Sequence, residues 1–159
     1  MEHVYRDYKN ETKPADAYVA GTHIEDSVTD KIRKLPYVRE AEGAMLVKYN
    51  AVIDRNQSDL YVHSFKQSTK KVLNPPIRSG ERLKEDAEGL WIDEDYARAN
   101  GLRAGDEISI AYDGAEHRVK ILGTVLDAEN IYFVTAYSET VPDHVRHGYG
   151  YMSEKYAKK

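Results

Sequence analysis

The stretch Ala44-Met-Leu-Val-Lys-Tyr-Asn-Ala-Val-Ile53 decides how the rest of the chain is read, because Met45, Val47, Tyr49, Ala51 and Ile53 fall on alternate positions. Lys48, Asn50 and Asp54 lie among the residues between and beyond them. Successive side chains of a strand point to opposite faces, so this pattern is a strand with one buried and one wet face. Downstream, the polar Arg55-Asn-Gln-Ser58 is followed by the apolar-rich Leu60-Tyr-Val-His-Ser-Phe65. The pair predicts a hairpin. Upstream, Ile24, Val28, Ile32 and Leu35 recur at helical spacing before Pro36, and Thr22 with Glu25 has capping-box spacing. An amphipathic helix lying on an apolar surface is expected there, preceded by a short strand over Asp16 to Ala20 that Gly21 ends. Residues 16–73 thus read as a β-α-β-β lobe, and residues 1–15, polar and without a core-forming period, as a stalk or tether.

A loop follows, carrying Lys66, Lys70, Lys71 and Arg78 around Asn74-Pro-Pro76. Beyond it, residues 74–137 read as a smaller β-rich lobe with one short helix. Leu90-Trp-Ile92 is a strand, Asp93 is placed to cap a helix running to about Asn100, and Gly101 ends that helix. The segment from Leu102 to Ile110 turns into an alternating strand, and Asp113-Gly114 is the dipeptide that a type I′ hairpin requires. Glu116 to Val125 is the return strand, bent or bulged at Gly123, and Ile131 to Tyr137 is a further strand. Residues 138–159 form a tail without a clear period that could return to the first lobe. The class expected is α+β with mainly antiparallel sheet.

The composition narrows the function. The chain has 159 residues, a net charge of −4 and no Cys, which excludes disulfides and thiolate chemistry and argues against a general nucleic-acid binder. Its longest late apolar run, Ile131 to Tyr137, is too short to span a bilayer as a helix, and the first residues lack the apolar core of a signal peptide. Tyr outnumbers Phe and Trp by 13 to 2 and 1, which suits half-wet sheet faces or a contact surface.

Candidate chemistry is sparse. No phosphate-binding glycine loop occurs. Of the histidines at 3, 23, 63, 117, 144 and 147, only His144 and His147 are close in sequence, and a third ligand from Asp143 or Glu139 would be needed for a metal. Glu85-Asp86, Glu88 and Asp93-Glu-Asp95 lack calcium-loop spacing and read as turn and cap carboxylates. Ser58, Ser64, Ser79, Ser109 and Ser153 lack a nucleophile elbow. No catalytic residue, metal or cofactor is expected, and no partner-binding residue is singled out. The four basic loop residues could touch anionic headgroups or an acidic partner, or serve only to keep the loop wet.

One ordered set of segments is more informative: Asn74-Pro-Pro-Ile-Arg-Ser-Gly-Glu-Arg-Leu83, Gly89-Leu-Trp-Ile-Asp93, Tyr96-Ala-Arg-Ala-Asn-Gly-Leu-Arg-Ala-Gly-Asp106 and Val119-Lys-Ile-Leu-Gly-Thr-Val125. In that order they resemble the extracytoplasmic, MacB-like periplasmic core domain of FtsX-like ABC transporter permeases. The match covers about half the chain, and the β-α-β-β segment looks like that family's opening lobe. The resemblance implies a noncatalytic domain on the outer side of a bacterial membrane that binds a substrate or accessory protein. Its implied partners are the membrane helices of the same permease, a cytoplasmic ATPase subunit acting indirectly, and a second permease copy or accessory protein, with no nucleic acid. The alternative is a self-contained cytosolic β-barrel interaction module, suggested by the Gly105-Asp106 turn and the Asp113-Gly114 hairpin.

Overall fold

A computed structural model describes residues 2–66, 72–126 and 142–159, with the side chains of residues 2–5 excepted. The first expected hairpin is present: β1 (Leu46–Ile53) and β2 (Asn56–Phe65) pair antiparallel from Ile53↔Asn56 to Leu46↔His63. The turn is tighter than the polar stretch suggested. Asp54 and Arg55, at φ 47° and 71°, make it in two residues, and left-handed central residues match the twist of the flanking strands.

Five more strands follow: β3 (Ile77–Gly80), β4 (Leu90–Asp93), β5 (Glu107–Tyr112), β6 (Ala115–Val125) and β7 (His147–Ser153). They share one sheet with the first hairpin, in the order β3-β6-β4-β7-β2-β1-β5. A further β5–β6 pairing, from Glu107↔Lys120 to Tyr112↔Ala115, closes six of these strands into a ring, with β3 added beside β6. Ring closure satisfies edges that would otherwise be open to foreign strands. The β2–β7 and β4–β6 pairs are parallel and the other described pairs antiparallel, so the class is α+β with a mixed, mainly antiparallel sheet.

The alternation read from residues 44–53 fills the interior of this ring. Tyr49, Ala51 and Ile53 meet Leu60 and Val62 of β2, Leu90 and Ile92 of β4, Ile108 and Ile110 of β5, Val119 and Ile121 of β6 and Met152 of β7. Helix α3 (Glu94–Ala99) adds Tyr96 and Ala97 to the same core. As the sequence implied, Asp93 caps α3 by accepting from Tyr96 N at 3.0 Å, and Gly101 follows its end at φ 65°. The Tyr96 hydroxyl is satisfied inside the barrel by Ser58 Oγ at 2.5 Å. A second cluster covers part of the opposite face, where Phe65, Trp91, Leu122, Val125 and Tyr151 pack with Leu83.

Strand β7 comes from the region read as a tail without a period. It lies between β2 and β4, with Tyr61↔Tyr149 on one side and Trp91↔Tyr151 on the other. Its inward positions include Gly148 and Gly150, which pack against Tyr96 and Leu90. Helix α4 (Glu154–Ala157) follows directly, capped by Ser153.

Two local expectations are corrected. Asp16 to Ala20 forms no strand, and Tyr18 and Val19 are exposed at 62% and 71%. β1 pairs with β2 along its whole length and with β5 over Asn50, Ala51 and Val52, and Asp16 to Ala20 joins neither side. Helix α2 (Asp26–Arg33) begins later than the Thr22–Glu25 spacing predicts. His23 sits at φ 58°, outside helical space, so the cap position shifts to Glu25, whose side chain makes no capping bond. No residue of α2 is buried; Val28 and Ile32 are half-buried, and Ile24 and Leu35 beyond its ends are exposed. Residues 2–12 form helix α1 (Glu2–Thr12), whose end is joined to the loop before β3 by Asn74 N to Thr12 O at 2.8 Å and Asn74 Nδ2 to Glu11 O at 3.1 Å. The strand expected over Ile131 to Tyr137 lies outside the described residues.

Candidate functional site

The segments that carry the family resemblance converge on β6. β3 pairs with its last residues, Gly80 opposite Gly123, while β4 runs parallel along its other side from Leu90↔Ile121 to Asp93↔Val125. The Gly101 to Asp106 turn docks on the same strand through Gly105 N to Ile121 O and Ile121 N to Asp106 O, both 2.8 Å. Asp106 also closes its own turn, with Oδ2 accepting from Arg103 N at 2.9 Å. Glu81 N reaches Leu122 O at 2.9 Å. Gly123 allows this crowding, since a Cβ there would stand 2.4 Å from Ser79 O and 3.0 Å from the Trp91 ring. A Gly at this position is a packing requirement of the crossing.

The tyrosine excess has a place on the outer surface of β2 and β7. Tyr61 and Tyr149 lie 6.0 Å apart, and His63 stacks between Tyr149 at 6.1 Å and Tyr151 at 5.8 Å. Lys48 lies over the Tyr61 ring at 5.8 Å and pairs with Asp59 at 2.8 Å. Hydrogen bonding to Asp59 holds the Lys48 ammonium above its ordinary pKa. The strip sets half-buried aromatic rings beside a Lys–Asp ion pair.

His144 and His147 do not come together as a metal pair. His147 is on β7 with its Nδ1 3.7 Å from Asp59, while His144 lies in the turn before β7 and meets Asp93 and Asp95 instead. Burial is the main influence on the Asp93 carboxyl and pushes its pKa up, as does the Asp95 charge; the Tyr96 N–H and His144 pull it down. Sequence reading had found the acidic run and the histidine pair separately. Glu139 lies outside the described residues.

The other candidates are accounted for structurally. Glu85 and Asp86 line an open depression together with Leu83, Lys84 and Lys155. Of the basic loop residues, Lys66 bonds Asp26 of α2 and lies 3.8 Å from Glu154, and Arg78 lies 3.6 Å from Glu94. Lys70 and Lys71 lie outside the described residues. Ser153 donates to Ala87 O and Ser79 shares a hydrogen bond with Thr124, both at 2.8 Å.

No helix among the described residues is long and apolar enough to cross a membrane. No family model and no curated protein matches the chain. Among solved structures, the fold is similar to the crystal structure of the periplasmic region of MacB from Actinobacillus actinomycetemcomitans, at 16% identity and a TM-score of 0.46. The likeness covers 82% of this chain and 57% of that one.

Proposed function

We propose that the chain is a noncatalytic extracytoplasmic domain of a bacterial ABC transporter permease of the FtsX-like kind. The observation that carries this reading is the ordered set from Asn74 to Val125, whose segments meet around β6 as one packed unit. The domain does no covalent chemistry. It binds a substrate or an accessory protein outside the cytoplasm and couples that contact to the membrane helices of the same permease, while a cytoplasmic ATPase subunit supplies the energy. Coupling of this kind needs only that the contacts differ in free energy between two arrangements of the helices. The aromatic strip of Tyr61, His63 and Tyr149 is the surface we assign to a second permease copy or accessory protein.

A second reading, a cytosolic β-barrel interaction module, is favoured by the closure of the β5–β6 pair, which makes the barrel self-contained. Fractionation of the native host separates the two. Detection with an antibody against this chain is expected in the membrane pellet, resistant to high salt and released by detergent. Recovery of the native product in the high-speed supernatant would support the cytosolic module and overturn the permease reading.

A further inference from the structure

The corner where β4 enters α3 brings together groups that the barrel does not need for packing. Asp93, Asp95 and His144 are all half-buried, and each offers a ligand atom within 4.8 Å of those of the other two. The imidazole comes from a segment remote in sequence, whose backbone is held there by specific bonds. Asn100 Nδ2 donates to His144 O at 3.1 Å and to Tyr96 O at 3.0 Å, fastening the turn to α3. Asp143 Oδ1 accepts from Val145 N and Arg146 N at 3.1 and 3.2 Å, which shapes the turn itself. Asp93 caps α3 through Oδ2 and its carboxylate also accepts from the Asp95 N–H, while Asp95 meets Arg98 through Oδ1.

We propose that Asp93, Asp95 and His144 bind a divalent first-row transition-metal ion of the zinc type, with water completing its coordination. One imidazole nitrogen and two carboxylate oxygens suit such ions, whereas magnesium and calcium favour all-oxygen shells. Two like-charged carboxylates partly withdrawn from water repel each other, and a cation between them relieves that cost. Arg98 is paired with the Asp95 carboxylate, so the ion would share that carboxylate with the guanidinium. The bound ion would cross-link the turn before β7 to the end of β4. This departs from the expectation, drawn from sequence, of a chain without metal, and it is independent of the transporter reading.

The test is equilibrium dialysis of the whole chain against Co2+ and Zn2+, with the visible absorption of bound Co2+ as a second readout. About one equivalent of either ion is expected, not displaced by excess Mg2+. His144→Ala and Asp95→Asn should each weaken Co2+ binding more than about tenfold. Asp93→Asn should do the same while keeping a capping oxygen for α3. His147→Ala, which removes a ring placed on Asp59, should leave binding unchanged, and circular dichroism confirms that each variant is folded. Failure of the parent chain to take up Co2+ at millimolar concentration, or unchanged Co2+ affinity in folded His144→Ala, would overturn the proposal.

Discussion

Trp91→Ala is expected to lower stability by about 4 kcal/mol, within the range for emptying a large aromatic site. Trp91 is fully buried, packs edge-on against Phe65 with centroids 5.7 Å apart, and donates its indole N–H to Glu81 O at 2.8 Å. It is also the residue through which β4 faces the second cluster, where the segment after β3 folds back over the barrel. Truncation removes ring contacts and leaves a carbonyl without its partner, and neither β4 nor the Gly123 backbone beside it is free to collapse into the space. At about 2–4 °C per kcal/mol for a chain of this size, thermal melting followed by circular dichroism should fall by roughly 8–16 °C. Trp91→Phe should cost much less, since it refills most of the volume and loses chiefly the hydrogen bond. A Trp91→Ala melting temperature close to that of the parent would show that the second cluster is not part of the cooperative fold.

Gly148→Ala carries the other large effect, through the opposite mechanism. A Cβ at this position would stand 2.4 Å from Cγ and Cδ2 of Tyr96. Tyr96 has no room to yield, because it is fully buried, its hydroxyl is bound to Ser58 and its backbone N–H is held by Asp93. Overpacking a site of this kind costs about 3 kcal/mol, equivalent to roughly 6–12 °C in melting temperature. The clash is testable as a pair. On a Tyr96→Leu background, which has its own penalty, adding Gly148→Ala should cost under about 1 kcal/mol, so the two changes couple. A full penalty in both backgrounds would place the strain in the β7 backbone instead of against the ring.

That same glycine explains why β7 escaped a reading by periodicity. On the face toward the barrel interior it carries Gly148, Gly150 and Met152, two of which have no side chain, so no apolar alternation is written there. The space they leave is filled by Tyr96 and Leu90, from other elements, and that complementarity exists only in three dimensions. The β1–β2 and β5–β6 hairpins were legible because each is local, with alternation on both sides of a turn; in the second, the turn is fixed by Asp113 and Gly114 at φ 48° and 80°. Helix α3 was legible from its cap and its terminal glycine. Asp16 to Ala20 misled because its few apolar residues resemble a strand, whereas a strand exists only through pairing with a neighbour, which so short a run does not encode. Of the Asp93, Asp95 and His144 group, the sequence offered its acidic and imidazole parts about 50 residues apart, and only the return of the chain into β7 brings them together.

The transporter reading places this domain on the outer side of the bilayer, and the absence of Cys from the chain allows a direct measurement of that placement. Tyr37→Cys introduces one thiol at a fully exposed residue outside the barrel. Expressed in the native host within its complete gene product, the thiol should react with a membrane-impermeant maleimide applied to whole cells, after permeabilisation of any outer membrane. Labelling of this residue while cytoplasmic control thiols stay unreacted is the predicted result. Labelling that appears only after the inner membrane is broken would put the domain in the cytoplasm and contradict the account.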